Sequence, residues 1–543
     1  RHGGGTDGSL PSCREGGLVM KKIWILLMCL LMLVLSGCGT EKNDTVSYAL
    51  EAEPASLDPA MTTGLAEANV QAELFEGLTR LDRDNQPQPA LAEHWDISPD
   101  GKIYTFHLRP GITWSDGTPI TAHDFVYSWM RVIDPAVASP NAYMMFIIDG
   151  AEAFSKKQGS AEDVGIKAPD DRTLQVRLKN PTAYFLNLTS FHCYYPVPEA
   201  LVRANPDTWA ANAGGFVGCG PFTLEKWIHS SEITVKKNPA YWDAGHVRSD
   251  YLDFPISESQ STRLTLVESG QANMMVEPPP AEQQRLESLG LYQVAPYLGT
   301  YYYVFNTQKA PFDDVRVRKA FALAMEREGL VKHIVRGRKE AAYAWVPPGM
   351  KNPATGQDFR KEGGNLQEEN AEQAQQLLKE AGYDESHQPE VTILFNTNEM
   401  HKAVAEAVQA MWKKNLGVQV ELTNQEAKVY LASRTQGNYQ VARASWVADY
   451  ADPMTFLDVF ADEDNDAQYH NEAYLDRVRK AKEEKDPGLR MQYMHQAEQI
   501  LFDDCVLIPI YYTTQPFVVQ PYVKGYHWSP LGLIDLKEAY IEK

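Results

Sequence analysis

The chain has 543 residues, of which 44% are hydrophobic and 23% are charged, with a formal net charge of −21 at pH 7. This composition is that of an ordinary globular protein with enough apolar residues for large cores, and the length suggests about two to four domains. A surface with so much negative charge repels phosphate backbones, so we expect no nucleic-acid partner.

The first segment with a clear pattern is an apolar run of residues 23–35, which follows Lys21-Lys22 and ends in Ser36-Gly37-Cys38. A basic start, a short apolar core and small residues before a cleavage site are typical of a secretory signal peptide. A transmembrane anchor is the alternative, but about thirteen apolar residues are too few to cross about 30 Å of hydrocarbon. We therefore expect residues 20–37 to be removed.

The cysteine directly after the small residues is the arrangement of a lipoprotein signal, so Cys38 is expected to carry a diacylglyceryl group. Residues 38–44 would then be a short spacer. Residues 1–19 precede the first methionine of this signal, and we interpret them as upstream sequence translated in error. The prediction is a monomeric lipoprotein that is tethered to the extracellular face of the cell membrane or lies in the periplasm.

The first strands and helices behind the spacer can be predicted from side-chain period. The run Val46–Leu50 favours a strand, and Tyr104, Phe106 and Leu108 alternate with polar residues as in a half-buried strand. Thr121 is predicted to begin a helix, with Asp124 three residues later as its capping-box partner.

The later half of the chain contains a strand–helix–strand pattern. An apolar strand at residues 391–395 precedes a helical stripe that ends at Gly417, and residues 418–422 alternate again as a strand. A βαβ unit implies a parallel sheet with a right-handed crossover. The predicted fold class is α/β with α+β parts, in more than one lobe.

Motifs for catalysis, phosphate binding or metal binding are absent from the sequence. It has no G-x-S-x-G, no G-x-x-x-x-G-K-[ST] and no H-E-x-x-H. The acidic run at 462–466 lacks the glycine and distal glutamate of an EF-hand, so we interpret it as a solvated loop. Cys193, Cys219 and Cys505 are expected to be free thiols, although the first two could pair. We predict no enzymatic activity, no cofactor and no metal.

Several runs, taken in order, carry a family resemblance. The chain resembles the oligopeptide-binding proteins of bacterial ABC importers, the extracellular solute-binding family 5, over residues 45–543. The matching runs are Leu74-Phe75-Glu76-Gly77-Leu78, residues 104–109, residues 114–129, Asn238-Pro239-Ala240-Tyr241-Trp242, residues 309–318 and Ala448-Asp449-Tyr450-Ala451-Asp452-Pro453.

The resemblance implies a type II periplasmic-binding-protein-like fold, with two lobes joined by a hinge and an extra domain on the first lobe. Lobe I would comprise residues 45–75, 196–298 and 512–543. The extra domain would be residues 76–195, and lobe II residues 299–511. The βαβ unit predicted above falls inside lobe II.

The resemblance also implies the ligand, a short peptide of about two to five residues held in extended form between the lobes. Asp449 would accept the peptide's α-ammonium group, and Arg443 and Arg434 would take ligand carboxylates. His401 would be reached by longer peptides. Without the resemblance, Asp449 could be a turn residue and Arg443 a surface strand charge.

Three further residues complete the site that the resemblance implies. Ser445 and Val447 would offer main-chain groups to the ligand, and Trp446 would wall a side-chain pocket or belong to the core. The expected partner is the permease of an ABC importer. Open alternatives are a receptor for murein tripeptide or a signalling peptide, a nickel or sugar carrier of the same superfamily, and an extracellular peptidase.

Overall fold

The computed structural model describes residues 45–462 and 465–542, together with Gly4 and Gly5. The predicted signal peptide, the predicted lipidation site Cys38 and the predicted spacer lie outside the described residues. Within the described part of the chain, no helix has the length and apolar character needed to cross a bilayer.

The local predictions for the first half are confirmed. The strand Ile103–Leu108 buries every second residue, so Tyr104, Phe106 and Leu108 face the core. The helix Ala122–Ile133 begins after Thr121, whose side chain and that of Asp124 form the predicted capping box.

The three described cysteines, Cys193, Cys219 and Cys505, are buried and are free thiols, as expected.

Strands are numbered here in chain order. They are β1 Thr45–Ala49, β2 Thr79–Leu81, β3 Pro87–Pro89, β4 Ala92–Ile97, β5 Ile103–Leu108, β6 Ile166–Asp170, β7 Thr173–Arg177, β8 Phe222–Ile228, β9 Glu232–Lys237, β10 Tyr251–Pro255, β11 Met274–Val276, β12 Tyr292–Phe305, β13 Glu340–Ala341, β14 Val391–Asn396, β15 Val420–Gln425, β16 Val441–Val447, β17 Leu507–Val519, β18 Val523–Lys524, β19 His527–Trp528, β20 Ile534–Asp535 and β21 Tyr540–Ile541.

The longer helices are Leu65–Leu74, Ala122–Ile133, Gln260–Glu268, Val315–Leu323, Ala371–Glu380, Glu399–Leu416, Ala427–Thr435, Glu472–Glu483 and Pro487–Asp503. Shorter α-helices are Ala151–Ser155, Phe185–Leu188, Glu199–Ala204, Gln283–Ser288, Arg327–Leu330, Phe359–Gly363 and Met454–Leu457.

A large mixed sheet runs through the molecule in the order β15-β14-β16-β12-β17-β11-β1-β10-β9-β8, with β13 paired to β17. The predicted βαβ unit is confirmed, because β14 and β15 are parallel neighbours and the helix Glu399–Leu416 joins them. That helix ends at Gly417, whose φ of 74° is in the left-handed region that favours glycine.

Two long strands, β12 and β17, connect the two ends of this sheet. They pair antiparallel, with a register shift between Pro296 and Thr300. The first part of β12 lies beside the end of β17 that also pairs with β11. The second part of β12 lies beside β16. The chain therefore crosses twice between the two ends of the sheet, once along β12 and once along β17. One end contains β14 and β16, and the other contains β11, β1 and β10.

A separate antiparallel sheet of four strands has the order β4-β5-β7-β6. Its inner face contributes Phe106, Leu174 and Val176, all fully buried, and the helix Ala122–Ile133 belongs to the same core. The opposite face of this sheet carries polar side chains, among them His94 and Asp96 on β4, which are exposed.

Candidate functional site

One edge of β16 is open. Strand β12 pairs with β16 along its whole length, from Phe305 opposite Val441 to Gly299 opposite Val447. On the other side β14 pairs with β16 only at Val441 and Ala442. Among the described residues, the stretch 443–447 therefore has no strand partner on the β14 side.

The backbone groups of Ser445 and Val447 face this open edge. Gln440 accepts a hydrogen bond from Asn306 N–H at 2.9 Å, and Ala448 N–H donates to Leu298 at 2.8 Å. In an antiparallel pair every second residue bonds to the partner, so the even-numbered residues of β16 face β12. The N–H and C=O groups of Ser445 and Val447 consequently point away from β12, and Ser445 is exposed.

Asp449 lies two residues beyond the end of β16, where the open edge finishes. Its Oδ2 accepts a hydrogen bond of 3.3 Å from the Tyr143 hydroxyl, and its N–H donates to Thr455 Oγ1 at 3.2 Å. Among the residues that the structure describes, no Lys, Arg or His side chain pairs with this carboxylate. Burial raises the pKa of Asp449 to about 6, against the opposing effect of the Tyr143 hydrogen bond.

The segment after Asp449 is held rigidly. Tyr450 stacks on Tyr184, with ring centroids 4.1 Å apart and ring planes 8° apart. Asp452 and Arg490 form a buried pair with two hydrogen bonds, of 2.7 and 2.9 Å. Such a bidentate pair adds geometric specificity as well as energy. The position of the Asp449 backbone is thus fixed by contacts on the residues that follow it.

A second group of predicted residues meets near the start of the open edge. Arg443 Nη2 donates to His401 Nε2, and His401 Nδ1 lies 3.3 Å from the Tyr301 hydroxyl. Burial and the nearby Arg443 lower the pKa of His401 to about 3, so this imidazole is neutral at physiological pH. The Arg443 guanidinium lies 5.4 Å from the Tyr301 ring and has no carboxylate partner among the described residues.

Arg434 belongs to the same group but is already neutralised. Its Nε lies 2.7 Å from Asp466 Oδ2, and its Nη1 donates to the Tyr430 hydroxyl at 3.4 Å. Burial acts to lower the pKa of Arg434, but Tyr302 and Asp466 outweigh it and raise the pKa above its usual range. The interpretation of residues 462–466 as a solvated loop was wrong for Asp466, because it serves as the counter-ion of this arginine.

Trp446 packs against the core, and its buried Nε1 has no hydrogen-bond partner among the residues that the structure describes. Asp449 and Tyr450 also line a cleft, together with Glu76, Arg80 and Asp535. Arg80 bridges the two carboxylates, at 3.4 Å from Glu76 and 3.0 Å from Asp535.

The sequence analysis missed the tyrosines of the site. Tyr143 reaches Asp449 from 306 residues away, and nothing in the local sequence of either residue indicates the contact. Tyr430 donates to the carbonyl oxygen of Arg443 and lies between the two arginines. Of these tyrosines, only Tyr301 could have been found from the sequence. It alternates with Tyr303, as residues on one face of a strand do, and both lie in β12.

Comparison with known proteins supports a single family. The sequence profile described as "Bacterial extracellular solute-binding proteins, family 5 Middle" matches residues 86–468. The dipeptide-binding protein DppE of Bacillus subtilis (strain 168) is 36% identical over 540 residues, 96% of this chain and 99% of the relative. The periplasmic murein peptide-binding protein MppA of Escherichia coli (strain K12) is 37% identical over 499 residues, 90% of each chain.

A solved structure of a peptide complex is also similar to this chain. The crystal structure of Haemophilus influenzae OppA in complex with RPPGFSPFR superposes with a TM-score of 0.77 at 34% identity, covering 93% of this chain and 100% of that one. The expected α/β fold of a type II periplasmic binding protein is therefore confirmed. The chain belongs to the bacterial extracellular solute-binding proteins of family 5.

Proposed function

We propose that this protein binds short peptides outside the cytoplasm and delivers them to the permease of an ABC importer. The observation that carries the proposal is the open edge of β16, which ends at the unpaired carboxylate of Asp449. The printed names of the relatives, dipeptide-, oligopeptide- and murein peptide-binding proteins, support the same ligand class. The protein has no chemistry of its own in this proposal.

The main chain of the ligand would complete the sheet. An extended peptide beside Ser445 and Val447 satisfies their N–H and C=O groups with backbone bonds that are the same for every sequence. Affinity then comes from the backbone of the ligand, while its side chains project into the surrounding space. Such backbone binding would let the receptor accept peptides of many different sequences.

The termini of the peptide would be recognised by charge. Asp449 lies six residues after Arg443 and two beyond the end of β16, so the two residues are at most about 20 Å apart. An extended peptide spans at most about 3.3–3.6 Å per residue, so six residues would fill this length. For a shorter ligand, the Arg443 side chain would have to turn toward Asp449 along the open edge. The ammonium would lie at Asp449 and the carboxylate near Arg443, so the peptide runs antiparallel to β16.

Arg443 is the better candidate for the ligand carboxylate. Its guanidinium contacts a neutral imidazole and aromatic rings, whereas Arg434 is paired with Asp466. We propose that His401 takes part where longer peptides extend past Arg443. Trp446, whose indole N–H is unsatisfied, would bound a side-chain pocket beside the ligand strand.

Replacing Arg443 by glutamine should weaken binding of a free-acid tetrapeptide by about 10- to 150-fold. A hydrogen bond to a charged group contributes about 1.5–3 kcal/mol, and the variant loses the charge. Calorimetry with the free acid and with its C-terminal amide measures the effect. The wild type should discriminate between the two, and Arg443→Gln should not. Equal affinity of both proteins for the free acid would contradict this role.

Binding should weaken as the pH falls below about 6. The pKa of Asp449 is about 6 in the free protein, and an ammonium partner lowers the pKa of a carboxylate. Below pH 6 the protein must therefore release a proton to bind, and the association constant should fall by about fivefold between pH 6 and pH 5. Calorimetry across this range checks it. With Asp449→Asn the profile should be flat, because His401 does not titrate there.

The organisation and location of the protein are part of the proposal. We propose lobe I at residues 45–75, 196–298 and 512–543, the extra domain at 76–195 and lobe II at 299–511. Strands β12 and β17, which pass between the two ends of the large sheet, support a hinge there. A lipid on Cys38 would hold a monomeric receptor at the outer face of the membrane, near its permease.

A specialised receptor for murein peptides is the second candidate, favoured by the relative MppA. Native mass spectrometry of the purified protein distinguishes the candidates, because a co-purifying ligand reveals its length and composition directly. A heterogeneous set of short linear peptides supports the general receptor, and a single murein peptide supports the second candidate. Progressive shortening of added peptides would instead indicate a peptidase.

A further inference from the structure

Two histidines and an aspartate meet on the exposed face of the four-stranded sheet, away from β16. In the register of β4 and β5, His94 lies directly opposite His107, and Asp96 lies opposite Thr105. Successive side chains of a strand alternate between faces, so His94, Asp96 and His107 share one face. Trp95, between them in sequence, contacts Phe106 of the core. Their spacing in the sequence matches no metal motif.

The three side chains converge. The rings of His94 and His107 are stacked, with centroids 4.4 Å apart and planes at 15°. His107 Nε2 lies 3.0 Å from Asp96 Oδ2. One ligand atom from each of the three residues lies within 4.8 Å of the others.

We propose that His94, Asp96 and His107 form a binding site for a divalent transition-metal ion of the zinc class. Imidazole nitrogen and carboxylate oxygen bind such an ion at about 2.0–2.2 Å, so two ligand atoms of a tetrahedral site lie about 3.3–3.6 Å apart. The 3.0 Å contact between His107 and Asp96 is already close to this separation. A bound ion lies in the plane of each imidazole ring, so the exposed His94 ring would have to rotate out of its stack on His107 to supply the third ligand.

The surroundings of the site favour a cation. The residues of β7 opposite His107 and Thr105 are Thr173 and Gln175, which are uncharged. The chain as a whole has a formal charge of −21, which attracts divalent cations. Two imidazoles favour zinc, nickel or copper over calcium and magnesium, which prefer oxygen ligands. Three protein ligands leave the remaining coordination positions to water.

A β-bulge helps to form the site. The pairing of β4 with β5 shifts by one residue between Ala92 and His94. Such a bulge re-aims the side chains that follow it. The ligands then stand on paired strands, which hold functional groups more precisely than loops do. A bound ion would link β4 to β5 and should raise the melting temperature of the protein.

Zinc titration of the full chain, purified without a polyhistidine tag and freed of metal, tests the proposal. Calorimetry with ZnCl₂ should show one site in the wild type. His94→Ala and His107→Ala should each weaken it by at least about 100-fold, the upper end of the loss caused by removing an outer partner of a metal ligand. His123→Ala is the matched control. His123 is a surface histidine whose Nε2 lies 3.6 Å from Asp171 Oδ1, and the variant should bind zinc as the wild type does.

Crystals soaked in ZnCl₂ provide a second readout. An anomalous peak about 2.0–2.2 Å from a nitrogen of each histidine and an oxygen of Asp96 supports the site. The variants should melt at the wild-type temperature without metal, because the replaced side chains are exposed or half-buried. Equal zinc affinity of wild type and His94→Ala, or a soaked crystal with no peak at these residues, would overturn the proposal.

Discussion

Replacing Asp449 by alanine should lower the affinity for a free tripeptide by a factor of about one hundred to several thousand. The proposed ligand ammonium would be enclosed against the Asp449 carboxylate, whose one side-chain partner among the described residues is the Tyr143 hydroxyl. Removing one member of a buried charge pair costs about 3–5 kcal/mol, because the other charge stays buried without compensation. Calorimetry with one tripeptide in free and N-acetylated form measures the loss.

Three comparisons make this test specific. The wild type should bind the acetylated peptide about as poorly as Asp449→Ala binds the free one. The combination of variant and acetylated peptide should cost much less than the sum of the two losses, since both changes break one interaction. Ser445→Ala should bind normally, because the proposed contact of Ser445 uses only its backbone. Tight binding of acetylated peptide by the wild type would remove Asp449 from the site.

Replacing Arg490 by leucine should lower the free energy of unfolding by about 3–5 kcal/mol. Arg490 and Asp452 are both buried and share two hydrogen bonds, so the variant leaves a buried carboxylate without its partner. Asp452 also accepts a 2.9 Å bond from Met454 N–H at the start of the helix Met454–Leu457. Urea unfolding followed by tryptophan fluorescence measures the change.

A second arginine, which is exposed, tests whether burial causes the loss of stability predicted for Arg490→Leu. Arg479 lies on the helix Glu472–Glu483 with its side chain 58% exposed and pairs with Asp476 and Glu483. Arg479→Leu should change stability by no more than about 0.5 kcal/mol, because exposed ion pairs contribute little. Arg490→Leu should also weaken peptide binding, since Asp449 stands three residues before Asp452. A variant that unfolds at the wild-type urea concentration would contradict the prediction.

Local structure could be read from the sequence wherever a short-range rule decides it. The capping box of Thr121 and Asp124 and the strand alternation at Tyr104 and Phe106 involve residues within a few positions of each other. The βαβ unit around Gly417 was equally predictable, because its three elements are consecutive and parallel strands need such a crossover. The family could be named from a few motif runs in order.

The geometry of the site depended on the tertiary structure. The pairing of Arg434 with Asp466 and the hydrogen bond from Tyr143 to Asp449 join segments that no periodic pattern relates. The structure was therefore needed to show that Arg434 is paired with a carboxylate and that Arg443, among the described residues, is not. The open edge of β16 also depends on where β14 stops pairing, which is a property of the assembled sheet.

By itself, the sequence determined the α/β class and several local elements, and its family resemblance implied the residues proposed to recognise a zwitterionic ligand. The local elements follow from side-chain period and caps, which act over a few residues. Only the tertiary structure decided which charges are neutralised, which backbone groups stay available and which histidines meet across two strands. The physical reason is that burial and pairing arise from contacts between distant segments, and these form when the sheets assemble.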